Sequence, residues 1–195
     1  MLRCPRYALA TIALTCALAT AASAGPKDDL HAALSKFLAQ TSFRGDIDGN
    51  MAGRSTHSTI EFQAPDRIRV TTQGRPPVVM IGDTMYMNAN GHAMKVPMPA
   101  GNPMTQYRDA SILAQLERGM LVEDLGLDSI DGMPTHKYRY TVEKPQPSTS
   151  MIWVSMKSGL PMQVQTSRAV MGKPINTIIR YSKFNDASIK INAPN

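Results

Sequence analysis

The segment Thr84–Met98, TMYMNANGHAMKVPM, alternates apolar and polar side chains on both sides of the pair Asn90-Gly91. Its larger apolar side chains, spaced two apart within each half, are Met85, Met87, Met94, Val96 and Met98. Side chains two apart point to the same face of a β-strand, and Asn-Gly between two such runs is a strong hairpin signal. The segment therefore predicts two antiparallel strands, each with its apolar residues on one side.

The same period of two recurs on both sides of this hairpin. Upstream, Ile60 alternates with Phe62 and Ile68 with Val70; downstream, we predict strands near 120–128, 133–143, 149–156, 161–169, 174–184 and 188–192. Turn signals punctuate the chain at Asp48-Gly49-Asn50, Gly82-Asp83, Asn90-Gly91, Asp131-Gly132, Ser158-Gly159 and Met171-Gly172. Short connections of this kind are typical of an antiparallel meander, here with about ten strands.

Two segments have helical spacing instead. The first runs from Pro26 to Thr41, and the second, Met104 to Gly119, follows a proline-rich stretch and interrupts the series of strands. A large antiparallel sheet tends to curl, and amphipathic helices can pack against its concave face. We therefore predict an α+β fold: a curled antiparallel sheet of about ten strands forming a half-open β-barrel, covered by one or two α-helices.

The first 24 residues have the three parts of a secretory signal peptide. Arg3 and Arg6 precede an apolar stretch from Tyr7 to Ala22, and Ala22-Ser23-Ala24 provides a small-residue cleavage site. The threonines within the stretch argue against a transmembrane anchor. We expect 1–24 to be removed, leaving one periplasmic domain, 25–195.

Composition limits the partners of that domain. Both cysteines, Cys4 and Cys16, lie in the predicted signal peptide, so a disulfide is not expected in the mature chain. The formal net charge is +6, but lysines and arginines are scattered along the sequence. This distribution argues against nucleic-acid binding. We expect the mature protein to be a monomer.

Four local motifs accompany this order of elements. They are FQAPDRIRV at 62–70, Val79–Tyr86 with its Gly-Asp turn, Trp153-Val154 followed by Ser158–Pro161, and the closing Tyr181–Pro194. Together they resemble the LolA-like superfamily of periplasmic lipoprotein-sorting carriers and the related LppX-like lipid-binding proteins, over most of residues 27–195. The resemblance implies a helical lid over an apolar concave face that receives acyl chains or whole lipids, with an envelope membrane protein as donor or acceptor.

One position departs from the family pattern. Lipoprotein-sorting carriers typically have an arginine directly before the proline of the first motif, where it helps to control lid closure. Here that position is Ala64. The resemblance therefore implies the fold and an apolar ligand, such as a lipid or an acyl chain, more strongly than lipoprotein cargo.

Methionine is abundant, with 14 residues in the chain, and three interpretations remain open. A flexible, polarizable side chain suits both core packing and a cavity that adapts to varied ligands. For a carrier or sensor, we expect the cavity wall to include Phe62, Ile68, Val70, Met85, Met87, Met94, Val96 and Trp153. The corresponding lid residues are Leu34, Phe37 and Leu38 on the first helix and Ile112, Leu113 and Leu116 on the second. A domain with a filled core that binds protein partners through its convex face is an alternative.

Soft-metal binding is the third interpretation, since thioethers favour Cu(I). Its ligands would be Met85, Met87, His92 and Met94. Enzymatic motifs are not found: the four histidines have no two-histidine metal spacing, and there is no Gly-x-Ser-x-Gly elbow or glycine-rich phosphate loop. We therefore expect neither catalytic residues nor a cofactor.

Overall fold

The computed structural model describes residues 25–51, 54–89, 92–99, 102, 114, 117–143, 147–170 and 173–194. The predicted signal peptide and most of the predicted second helix, including Ile112, Leu113 and Leu116, lie outside these residues. Ala114 and the pair Glu117-Arg118 have helical backbone. Within the described ranges, no helix has both the length and the apolar character that crossing a membrane requires.

Helix α1 spans Pro26–Leu38. Pro26 provides a preset backbone angle at its first turn, and the Asp28 carboxylate accepts a hydrogen bond from the Gly25 N–H at 3.2 Å. The predicted helix extends three residues too far, to Thr41. It ends earlier because the Gln40 side chain donates a hydrogen bond to the Lys36 carbonyl at 2.8 Å, which satisfies a terminal acceptor.

In the described part of the chain, eleven strands form one antiparallel sheet in the order β6-β5-β4-β3-β2-β1-β11-β10-β9-β8-β7. Their bounds are β1 Ser42–Met51, β2 Arg54–Gln63, β3 Arg67–Thr72, β4 Val78–Ile81, β5 Thr84–Ala89, β6 His92–Pro97, β7 Leu121–Ile130, β8 Met133–Val142, β9 Ser148–Ser155, β10 Pro161–Val170 and β11 Lys173–Ser182. The end strands β6 and β7 are not paired with each other, and α1 covers one face. The predicted α+β half-open barrel is confirmed.

Two details of the predicted strand pattern are wrong. Asp48-Gly49-Asn50 is not a turn but part of β1, because all three residues pair with both β2 and β11. The segment 188–192 is not a strand. It is held by side chains, as the Arg67 guanidinium donates to the Ile191 carbonyl at 2.8 Å and the Ile191 N–H donates to Gln63 Oε1 at 2.8 Å.

This closing segment packs on the face of the sheet that α1 does not cover, which we call the opposite face. Ile189 and Ile191 are buried there against Val79, with Ile81 and Tyr86 beside them. Arg69 also donates to the Lys190 carbonyl at 2.7 Å. The C-terminal residues therefore fasten the outside of strands β2 to β5.

Candidate functional site

The face of the sheet beneath α1, which we call the helix-covered face, is built from alternating apolar residues of neighbouring strands. Phe62 pairs with Phe43 on one side and Ile68 on the other. Ile68 pairs in turn with Met80, and Met80 with Met85. Directly opposed residues in an antiparallel pair share a face, so these side chains form one continuous row across β1 to β5.

Helix α1 closes one end of this face with two groups of contacts. Leu30 and Ala33 are buried against Met120, Tyr138 and Ile152, and Leu34 packs at the edge of the same group. The Tyr138 hydroxyl also donates to the Asp29 carboxylate at 3.4 Å. The apolar group and this hydrogen bond together fix the N-terminal half of α1 over strands β8 and β9.

The C-terminal half of α1 is held by an aromatic group around Phe37. The ring centroid of Phe37 lies 4.8 Å from that of Phe43 and 4.9 Å from that of Tyr181, with Phe184 at 6.2 Å. Phe43 stacks on Phe62 at 5.4 Å. Aromatic pairs at these separations contribute about 0.5–1.5 kcal/mol each beyond the burial of their surface.

Tyrosine hydroxyls beneath α1 are in a poorly hydrated environment. Burial, reinforced by the Asp29 charge, raises the pKa of Tyr138 to about 12. Burial also raises the pKa of Tyr140 and of Tyr181 above the usual value. The part of the face beneath α1 therefore disfavours charge.

Hydroxyl groups on the same face are paired with each other. Ser58 and Thr72 lie 2.9 Å apart across β2 and β3, and Ser150 and Thr166 lie 2.9 Å apart across β9 and β10. Because each hydroxyl has its partner, these positions can border an apolar ligand without leaving a polar atom unsatisfied.

Away from α1, the helix-covered face is less deeply buried. Val70, Met80, Met85, Met87 and Val96 are partly exposed, and Met94 is 46% exposed. Around the middle of the sheet, Ile47, Ile175 and Ile179 are also only partly buried. The face thus combines a closed end with a broad apolar area that has accessible surface.

Seven of the eight residues expected to form the wall share this face, as the pairing of strands β2 to β6 shows: Phe62, Ile68, Val70, Met85, Met87, Met94 and Val96. On the first helix, Leu34 and Phe37 contact the face, and Leu38 is partly buried. The expected second-helix residues Ile112, Leu113 and Leu116 lie outside the described part of the chain.

Trp153 is the exception, because it lies on the opposite face and cannot line the wall. It pairs with Lys137, whereas its neighbours Ile152 and Val154 pack beneath α1. The Trp153 indole donates to Asp128 at 2.9 Å, and the Lys137 ammonium lies 4.6 Å from the ring centroid. On β8 and β9 the helix-covered face is lined instead by Ile152 and Tyr138, which were not among the predicted wall residues. The alternation of Tyr138, Tyr140 and Val142 in the sequence is the signal that indicates them.

Ala64, at the position of the family arginine, lies in the turn between β2 and β3. Its N–H donates to the Thr41 carbonyl at 2.7 Å, and its methyl group has no polar atom to offer α1. A different contact joins α1 to the segment that precedes β7. The side chains of His31, on α1, and Glu117, in that segment, lie 2.8 Å apart.

Three clefts border the described residues elsewhere. One of about 510 Å³ lies between the β8–β9 and β10–β11 ends and includes Pro147 and Pro174. A second, of about 320 Å³, contains the His57–Asp48 pair, and a third, of about 390 Å³, contains Ala64 and Lys190. No group of three or more His, Cys, Asp or Glu side chains among the described residues is arranged to hold a metal ion.

The half-open barrel with a helix over one face is an LppX-like fold, which confirms the resemblance expected from the sequence at the level of fold. The chain is similar in structure to the lipoprotein LppX of Mycobacterium tuberculosis, with a TM-score of 0.65, 14% sequence identity, and coverage of 85% of this chain and 97% of that one. It is also similar to a chain of the Pseudomonas aeruginosa MucA/MucB complex, with a TM-score of 0.51 and 17% identity over 87% of this chain and 58% of that one. No protein-family model and no curated protein matches the sequence.

Proposed function

We propose that the mature protein, residues 25–195, is a periplasmic carrier or sensor that binds an acyl chain or similar lipid on its helix-covered face. The observation that carries this proposal is the continuous apolar row on that face, closed by α1 at one end and partly exposed elsewhere. Export by the predicted signal peptide 1–24 would place the protein in a compartment where lipids need a host to cross water.

The energetics favour exchange over permanent binding. Transfer of about 14 methylenes from water to an apolar site yields roughly 11 kcal/mol, at about 0.8 kcal/mol each. A membrane offers nearly the same gain, so the direction of transfer must be set by the donor and the acceptor. Opening of α1 would then control the rate at which the ligand enters and leaves.

Adjacent isoleucines on β11 provide a matched test. Ile179 pairs with Ile47 and Val164 on the helix-covered face, whereas Ile178 pairs with Asp48 and Gln165 on the opposite face. Both are partly buried. Ile179→Gln should weaken binding of a fluorescent fatty acid that palmitate displaces, because it introduces a polar group where the chain would lie, and Ile178→Gln should not.

Native mass spectrometry of protein purified from the periplasm provides the second measurement. A lipid that co-purifies and is extracted by solvent supports the proposal. A mass that corresponds to the protein without bound lipid, together with no displacement of the fatty acid by palmitate in the unmodified protein, would contradict the proposal. Equal effects of Ile179→Gln and Ile178→Gln would show that binding does not involve the helix-covered face.

Binding of a partner protein is the second candidate function. It is favoured by exposed apolar residues at the β7 end of the sheet, where Leu127 is 73%, Met133 50% and Met156 59% exposed. Similarity in fold to a chain of the MucA/MucB complex adds support, although this chain spans only 58% of that one. Met133 and Met156 are neighbours, since the Met156 N–H donates to the Pro134 carbonyl at 3.1 Å, and Met133→Ser with Met156→Ser should abolish capture of an envelope protein while leaving palmitate binding unchanged.

A further inference from the structure

The β5–β6 hairpin brings thioether side chains together at one end of the sheet. Met87 is directly opposite Met94, and Met85 is directly opposite Met80 on β4. Met85 and Met87 are two residues apart on β5 and therefore share a face. Opposed residues have Cβ atoms about 4.5–5.5 Å apart, within which two flexible methionine side chains can place both sulfurs on one ion.

An imidazole lies on the same face of this hairpin. His92 pairs with Ala89, which puts it two residues from Met94 and diagonal to Met87. Diagonal neighbours are about 7–8 Å apart at the backbone, a distance that long side chains bridge. His92 and Met94 are both exposed, so an ion can reach them from solvent.

The opposite side of the hairpin is chemically different. Tyr86 and Lys95 pair there, and the Lys95 ammonium lies 5.9 Å from the Tyr86 ring centroid. The ammonium is thus separated by the sheet from the sulfur atoms. Sulfur and imidazole ligands without carboxylates select a soft monovalent ion over magnesium or calcium, which require oxygen ligands.

We infer that Met87, Met94 and His92, with Met85 as a further donor, bind one Cu(I) ion at the exposed end of the helix-covered face. Neutral thioethers and a neutral imidazole bind Cu(I) without changing its oxidation state and without forming a covalent intermediate. Apolar packing or lipid contact accounts for the methionines but gives no reason for an imidazole beside them at position 92. The three methionines also belong to the proposed lipid wall, but copper binding does not require that a lipid be bound.

Competition with bicinchoninate under anaerobic conditions measures Cu(I) affinity directly. The unmodified protein should bind one Cu(I) per chain, and Met87→Leu with Met94→Leu should weaken it by at least about tenfold. Leucine retains the apolar volume, so the variant should fold, which circular dichroism checks. Met133→Leu is the matched control, because Met133 is 50% exposed against 46% for Met94.

An affinity that is unchanged by the double substitution, or lowered equally by Met133→Leu, would overturn the site. X-ray absorption at the copper edge provides an independent measurement, since it should detect both sulfur and nitrogen scatterers. His92→Ala should remove the nitrogen contribution. A spectrum with only oxygen and nitrogen, or one that His92→Ala leaves unaltered, contradicts the proposed ligands.

Discussion

The indole N–H of Trp153 on β9 donates a hydrogen bond to the Asp128 carboxylate on β7, with the two atoms 2.9 Å apart. Lys137, on the strand between them, lies 3.3 Å from the same carboxylate oxygen. These contacts fix Trp153 on the opposite face of the sheet. They also lower the pKa of Asp128, chiefly through the indole hydrogen bond, followed by the Ser129 N–H and Lys137.

We predict that the fluorescence of Trp153 responds to acid below the ordinary titration range of aspartate. Trp153 is the only tryptophan in the chain, so the signal is specific. Because the Asp128 pKa is lower in the folded state, its contribution to stability is present above the unfolded value of about 3.9 and is lost as the pH falls through the folded value. Asp128→Asn should abolish this transition, and Asp131→Asn should not. A midpoint at or above the unfolded value contradicts the assignment.

Phe37 is predicted to hold α1 on the sheet. Phe37→Ala removes the ring that contacts Phe43, Tyr181 and Phe184, and we expect a loss of about 3 kcal/mol in the free energy of unfolding. Hydrogen exchange along α1 should accelerate in the same variant. Phe37→Leu keeps most of the apolar volume and should cost less than half as much. Equal losses for the two substitutions would contradict this expectation, because they would assign the whole effect to the aromatic contacts and none of it to apolar volume.

The sequence pattern locates the hairpins well where one side of a strand is apolar. Alternation of Met85 with Met87 and the Gly82-Asp83 turn correctly predict β5 and its connection to β4. In Ile152-Trp153-Val154, by contrast, both sides are apolar, so the period cannot assign a face. The position of Trp153 is decided by Asp128 and Lys137 on neighbouring strands, which no local pattern in β9 reveals.

Strand β1 shows a second limit of sequence patterns. Gly45 faces the helix-covered side, where an added Cβ would lie 3.0 Å from a methyl carbon of Ile60 and 3.3 Å from one of Ile179. Small residues are therefore required by side chains on β2 and β11, which are distant in sequence. Glycine in a polar segment, as in Asp48-Gly49-Asn50, favours a turn locally. Pairing of β1 with β2 and β11 overrides that preference.

Ile191 is predicted to be essential for the stability of the β2–β5 side of the sheet. It is fully buried on the opposite face, although no strand contains it. Ile191→Ala should lower the free energy of unfolding by about 3 kcal/mol, as large-to-small substitutions in a core do. Ala193→Gly, at an exposed position two residues later, is the control and should have little effect. Chemical denaturation measures both, and an unchanged midpoint for Ile191→Ala would contradict the packing role of this segment.

Thr135 is predicted to be a site where a substitution stabilises the protein. Its side chain is fully buried on the opposite face beside Ser155, and among the described residues its Oγ1 has no hydrogen-bond partner. A buried hydroxyl without a partner costs about 1–3 kcal/mol in lost hydration. Thr135→Val replaces that hydroxyl with a methyl group of similar size, so the free energy of unfolding should rise by about 1 kcal/mol. Thr149→Val, at an exposed position on β9, is the control and should change stability little. A loss of stability in Thr135→Val, measured by chemical denaturation, would mean that the hydroxyl is satisfied in solution.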